Sequence, residues 1–208
     1  MTKILIPYYS AYGHIYTMAQ AVAKGVEKVE GSTAKLVKIP EIEVAKQALS
    51  TQEYYVKAQA VQNDVPEATL DDLDWADGII WGVSSRYGLM PAQMKQFLDS
   101  AGGKWMTGAL EGKPTAVFNS TGSIHGGQES AILTTAISLL HFGMIFVGLP
   151  YGENQEQLTA DGIGGSPYGA STVAGPDGSL IPNERELLMA ERLGSRVARI
   201  AKALKSEK

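Results

Sequence analysis

Three stretches of this chain combine glycine with hydroxyl and aromatic side chains, each just after an apolar run. They are Ser10-Ala11-Tyr12-Gly13-His14-Ile15, Ser84-Ser85-Arg86-Tyr87-Gly88, and Ser120-Thr121-Gly122-Ser123-Ile124-His125-Gly126-Gly127-Gln128. Glycine lets a backbone approach a ligand closely, and Ser and Thr add hydroxyl donors. The first stretch opens directly into a helical pattern, so a phosphate there would meet free N–H groups and the positive end of a helix dipole. Ser10 adds a hydroxyl. One such loop is ordinary turn chemistry; three on one edge would form a tray of donors for a phosphorylated ligand. Tyr12, His14, Trp81 and Tyr87 suit either the walls of a ring site or simple packing.

Missing motifs narrow that ligand. There is no G-x-G-x-x-G, no G-x-x-x-x-G-K-[ST] and no G-x-S-x-G, so the dinucleotide fingerprint, the P-loop and the hydrolase elbow are all absent. The ends Tyr8-Tyr9-Ser10 and Val83-Ser84-Ser85 lack the acidic residues a phosphoacceptor domain needs. What remains is a mononucleotide with a flat ring, and flavin mononucleotide (FMN) fits. His14, His125 and His141 are the only histidines and there is no cysteine, so a zinc site would need all three at once. No metal is expected.

The elements that must position these loops alternate. Ile4–Tyr9 reads as a buried strand, with Pro7 as a mark against it. Ile15, Met18, Ala19, Val22, Val26 and Val29 make one helical face, with Gly31 as its stop. Strands follow at Ala34–Ile39, near an edge, and at Gly78–Val83. Pro91 opens a helix at its first position, and Gly102-Gly103 close it. Thr115–Asn119 is a fourth strand, Glu129–His141 a helix stopped by Gly143, and Met144–Leu149 a fifth strand. Asn183 and Glu186 form a capping-box pattern before a last helix striped by Leu193, Val197, Ile200 and Leu204. This is an α/β chain with a five-stranded parallel sheet covered by helices on both faces, of order 2-1-3-4-5. The ligand then lies at the switch point between strands 1 and 3, where flavodoxins hold FMN. Residues 1–208 read as one flavodoxin-like domain with extra segments at about 40–77 and 151–182. The first is helix-permissive over Glu43–Gln62 and the second is loop-like.

Composition sets outer bounds. The 208 residues carry 18 Lys+Arg against 22 Asp+Glu, a net charge of −4, with a pI near 5.4, which speaks against nucleic acid as a partner. No apolar run approaches the ~18 residues of a membrane span. Met1–Ser10 turns into a strand pattern at once and does not read as a signal peptide. A cytoplasmic location is expected. Pro40–Asp77 carries Ile42, Val44, Leu49, Tyr54, Tyr55, Val56, Val61 and Val65, an apolar set that predicts self-association if left on a surface.

Taken together the chain resembles the WrbA family of tetrameric flavodoxin-like NAD(P)H:quinone oxidoreductases. The resemblance rests on Tyr8–Ile15, Ser85-Arg86-Tyr87-Gly88, Gly102-Gly103-Lys104-Trp105, Ser120–Glu129, His141 and Gly165–Ala170, in order from Lys3 to about Ala203. It implies tightly but non-covalently bound FMN, with NADH or NADPH as co-substrate and a quinone as acceptor. The FMN phosphate would be held by Ser10, Tyr12, Gly13, His14 and Ile15, with Ala11 also among the cofactor-binding residues. The ring would meet Ser85, Arg86 and Tyr87 on one side and Ser120, Thr121, Gly122, Ser123, Ile124, His125 and Gly126 on another. His141 corresponds to a flavin-site residue, Trp105 to a substrate residue, Tyr12 to a nicotinamide contact, and Tyr151 to a position that approaches the site in the tetramer. His141, Trp105 and Tyr151 are thus the catalytic candidates. The implied mechanism is ping-pong: the dinucleotide reduces the flavin and leaves, and a quinone takes the same space. Ser84 and Leu89 stand where the family commonly has Pro and Asn. The competing class is a one-electron carrier of the flavodoxin type, but carriers are usually shorter and more acidic.

Overall fold

The protein is described by a computed structural model covering residues 1–206. Its central strand, β1 (Thr2–Tyr8), is buried on both faces, as its near-continuous apolar run requires. It lies parallel between β2 (Ser32–Lys38), the edge strand, and β3 (Gly78–Ser84), with β4 (Pro114–Thr121) beyond β3. The β1–β3 ladder pairs Leu5 with Ile79 and Tyr8 with Gly82 and skips the two positions between. Pro7 falls in that gap, where it has no N–H to give.

One face is covered by α1 (His14–Glu27) and α8 (Glu184–Ser206). Met18, Val22, Val26, Leu193 and Val197 pack there with Ile4 and Ile6. The two helices approach so closely that a Cβ on Gly25 would stand 1.8 Å from the Glu191 carbonyl oxygen, and one on Gly194 2.1 Å from that of Val22. The other face carries α5 (Ala92–Ser100) and α7 (Gln128–His141), with Trp81, Met94, Leu98, Ile132 and Leu139 between them and the sheet. The capping box at α8 forms: Glu186 N–H donates to Asn183 at 3.1 Å, and Asn183 N–H to the Glu186 carboxylate at 2.9 Å. That carboxylate, 2% exposed, also accepts from Gly164 N–H, Val173 N–H and the Thr172 hydroxyl. One buried Glu therefore anchors the second extra segment to the helix that follows it.

The structure corrects several sequence expectations. The sheet has six strands in the order β2-β1-β3-β4 and then Ile145–Phe146 (β5), with Ser171–Val173 (β6) also on β4. The expected fifth strand shrinks to β5 (Ile145–Phe146), paired with Pro114 and Thr115, while β6 (Ser171–Val173) pairs with Asn119–Thr121. A single edge position is thus shared by two short strands, and the second lies inside the segment expected to be loop. Gly102-Gly103 do not end a helical region; they begin α6 (Gly102–Met106), because the Ala101 carbonyl accepts from Lys104 and Trp105. Pro91 is the N-cap of α5, not its first residue. The first helix ends at Glu27, so Gly31, φ 77°, forms the turn into β2 rather than the cap. The first extra segment holds three helices: α2 (Glu43–Leu49), α3 (Glu53–Ala60) and α4 (Leu70–Trp75). Its apolar set divides: Tyr55 is buried and Leu49 and Val65 pack on the protein's own core, while Val44, Tyr54, Val56 and Val61 stay exposed.

Candidate functional site

The carboxyl ends of β1, β3 and β4 lead into the three Gly- and Ser-rich loops, which meet over one cavity of about 360 Å³, a size typical of small-molecule sites. Ser10, Ala11, Tyr12, His14 and Ile15 line it from the first loop, Ser84, Ser85 and Arg86 from the second, and Ser120, Thr121 and Gly122 from the third. Gly13 sits at φ 94°, a left-handed turn immediately before α1 that favours glycine. The Ser10 hydroxyl oxygen accepts the Tyr16 N–H at 3.2 Å, capping the helix start and leaving its own proton to donate. The second and third loops are tied together: Ser85 N–H donates to the Ser120 carbonyl (2.9 Å) and Ser85 Oγ to that of Gly126 (2.9 Å).

Sequence reasoning missed a fourth wall. Ala174, Gly175, Pro176, Asp177 and Gly178 also line the cavity. They are delivered by β6, whose end is fastened where Ala174 N–H donates to the Thr121 carbonyl at 2.7 Å. His14 Nε2 donates to the Gly178 carbonyl at 3.1 Å, joining this wall to the start of α1. The Gly-Pro-Asp-Gly turn signal was visible in the sequence; its place beside β4 was not. Hydrogen bonds from Ser179 hold the Asp177 carboxyl below the usual range. Tyr54, on α3, is the other unforeseen lining residue.

Next to Ser10 in the chain, Tyr9 donates to Glu41 at 2.7 Å and accepts from Gln93 at 3.0 Å, while Gln93 also donates to Glu41. Burial first, then the Glu41 carboxylate, push the Tyr9 phenol well above its ordinary pKa. Tyr12 is raised by burial and by Tyr54. Both stay neutral near pH 7 and act as donors or ring surfaces, not as bases.

Other expected residues lie elsewhere. Tyr87, fully exposed at φ 55°, stands outside the lining, as do Ser123, Ile124, His125 and Gly126. Trp105 and His141 are far from the cavity of their own chain. The α7 helix begins beside it, at Gly127 against Ser85 and Gly88, and its 14 residues carry His141 to the opposite end of the sheet, roughly 20 Å away at 1.5 Å per residue. There Trp105 Nε1 donates to the His141 carbonyl. Tyr151 lies on a single helical turn whose Glu153 pairs with Arg199 of α8. No group of acidic or His residues able to hold a metal occurs among the described residues.

An anionic mononucleotide suits this cavity. The start of α1 contributes His14 and Ile15 to its lining, Ser10 retains a donor, and Ser84 Oγ is buried in its wall without a hydrogen-bond partner. An unpaired buried hydroxyl is costly unless a ligand satisfies it.

Comparison with known proteins agrees. Residues 8–153 match the family described as "NADPH-dependent FMN reductase". The chain is 48% identical to the "NAD(P)H dehydrogenase (quinone)" of Aromatoleum aromaticum over 97% of each chain. It is 50% identical to the protein of the same name in Syntrophobacter fumaroxidans, over 97% of this chain and 98% of that one. Among solved structures, "the flavodoxin, WrbA-like protein from Agrobacterium tumefaciens" shares the fold at a TM-score of 0.66 and 22% identity, covering 98% and 99% of the two chains.

Proposed function

The chain belongs to the NADPH-dependent FMN reductase family and is an FMN-dependent NAD(P)H:quinone oxidoreductase; we propose that its cavity holds FMN with the phosphate on the α1 start and the ring across the second and third loops. The observation that carries this placement is the convergence of three donor loops on one cavity containing an unsatisfied Ser84 hydroxyl. Ser10, Tyr12, Gly13, His14 and Ile15 would hold the phosphate through a hydroxyl and backbone N–H groups. Ser85 and Arg86 would flank one side of the ring, and Ser120, Thr121 and Gly122 the other. Bound FMN supplies the hydride acceptor and donor that no amino-acid side chain provides. The loops exclude water and fix the ring, and donors of the third loop would stabilise negative charge on it. On this reading dinucleotide and quinone use the same face in turn.

The chain works as one flavodoxin-like domain that assembles, in the cytoplasm, into a homotetramer. Support comes from α7, whose outer face exposes Leu133, Ile137 and Leu140 at helical spacing, close in chain order to exposed Ile145. Trp105, on α6, meets His141 at the end of α7, so a neighbouring copy seated on this face could bring them to a cavity they cannot reach in their own chain. His141 would then donate a proton to a quinone oxygen, and Trp105 and Tyr151 would wall the acceptor. Titration of apoprotein with FMN tests the placement. One FMN per chain should bind with quenched flavin fluorescence, and Ser84→Ala should weaken it; no saturable binding would defeat the assignment.

A further inference from the structure

The first extra segment serves the cavity directly. From α3, Gln59 donates to the carbonyls of Ser10 (2.9 Å) and Ala11 (3.1 Å). Gln62, 1% exposed and just beyond the helix, donates to that of Ser10 (3.3 Å). Near the start of α3, Tyr54 lays its ring against Tyr12 with centroids 5.0 Å apart, and the Arg86 guanidinium stands 6.0 Å from the Tyr12 centroid. All three side chains line the cavity.

Tyr54 is 57% exposed, so burial in the core does not explain its place. Its hydroxyl donates to Gln52 at 2.5 Å, and the ring itself is what meets Tyr12. Arg86 forms no ion pair among the described residues; its Nη1 reaches the Ser85 carbonyl at 3.2 Å. The Tyr12 ring, braced by Tyr54 with 50° between the two ring planes, offers an aromatic face to a flat heterocycle, and an unpaired guanidinium offers charge to a phosphate. That combination matches a nucleotide; a quinone carries no charge for Arg86 to meet.

We propose that Tyr54 is a positioning residue for the nicotinamide dinucleotide, holding the Tyr12 ring so that ring and Arg86 together form the dinucleotide's wall at the cavity mouth. The proposal rests on the NAD(P)H:quinone reading above and adds a residue to it. Its consequence is that Tyr54 acts on the nucleotide and not on FMN or quinone.

The test uses FMN-loaded wild type, Tyr54→Ala and Tyr54→Phe. Calorimetry gives the Kd for NAD⁺ and NADP⁺, absorbance the FMN per chain, and steady-state rates the KM for NAD(P)H and for benzoquinone. Tyr54→Ala should weaken oxidised dinucleotide and raise the NAD(P)H KM by about fivefold, the scale of one aromatic pair, with FMN retained and the benzoquinone KM not following. Tyr54→Phe, which keeps the ring, should restore dinucleotide affinity. An unchanged dinucleotide Kd in Tyr54→Ala would overturn the proposal, as would loss of FMN in its place or a Phe variant as impaired as Ala. If wild type shows no NAD(P)H:quinone turnover, the underlying reading fails instead, and the dinucleotide titration still decides the role of Tyr54.

Discussion

Trp105 donates its indole N–H to the backbone carbonyl of His141 at 3.0 Å, joining α6 to the end of α7. The bond fixes two exposed residues in one place at the end of the sheet remote from the cavity. The indole is 55% exposed although hydrogen-bonded, so it presents an aromatic face outward. Tryptophan is among the residue types enriched at interface hot spots. Trp105→Ala should therefore raise the quinone KM with little loss of FMN, as measured by initial rates and flavin absorbance. An unchanged KM would remove Trp105 from the acceptor site.

Assembly follows from the same geometry. If each cavity is completed by a neighbour, sedimentation should give a mass near four times 22.2 kDa or a dimer–tetramer equilibrium. Ile137→Lys, on the exposed face of α7, should dissociate it, and activity per flavin should fall on dilution. A monomer with full activity at micromolar concentration would exclude a shared site.

Gly13 is held at φ 94°, and a Cβ there would meet nothing closer than Ala58 Cβ at 3.8 Å. The cost of Gly13→Val is thus backbone strain in the phosphate loop, about 1–3 kcal/mol, not collision. The variant should fold, with unchanged far-ultraviolet circular dichroism, yet lose FMN affinity by ~tenfold or more. Full retention of FMN would place the phosphate elsewhere.

Asp72 caps α4 through Thr69 (2.8 and 2.9 Å) and pairs with Lys35 at 2.5 Å. Burial pushes its carboxyl up, but the Lys35 and Thr69 bonds outweigh this and hold it below the usual value. Its folded pKa is therefore below the unfolded one. The stability it adds is complete above about pH 4 and is lost as pH falls through the folded pKa. Asp72→Asn should cost about 1 kcal/mol at pH 7, and urea titrations should show the gap closing in acid. A gap that did not change at all with pH in the acid range would point to packing as its cause.

The buried strands and donor loops were legible because their signals are local. Ile4–Tyr8 and Gly78–Val83 are apolar runs, and the loops after them are Gly- and Ser-rich whatever packs around them. Strand β6 was not legible: Ser171-Thr172-Val173 carries no apolar run, and it becomes a strand only because the chain returns to pair with Asn119–Thr121. The Gly175–Gly178 wall arrives with it and was missed for the same reason. Gly102-Gly103 reads as a helix stop, which leaves Trp105 beyond it, whereas the Ala101 carbonyl restarts a helical turn that includes Trp105. The distance from His141 to the cavity also has no local signal, since a helix of any sequence would carry its last residue that far.

The most direct measurement of the proposed shared cavity is steady-state turnover of the FMN-loaded protein with NADH or NADPH and benzoquinone both varied. Alternate use of one space gives parallel lines in double-reciprocal plots, together with competition between quinone and NAD(P)H at high concentration. Intersecting lines would mean both substrates bind at once in separate places. A flavin-loaded protein with no turnover at all would contradict the assignment of these loops as an oxidoreductase site.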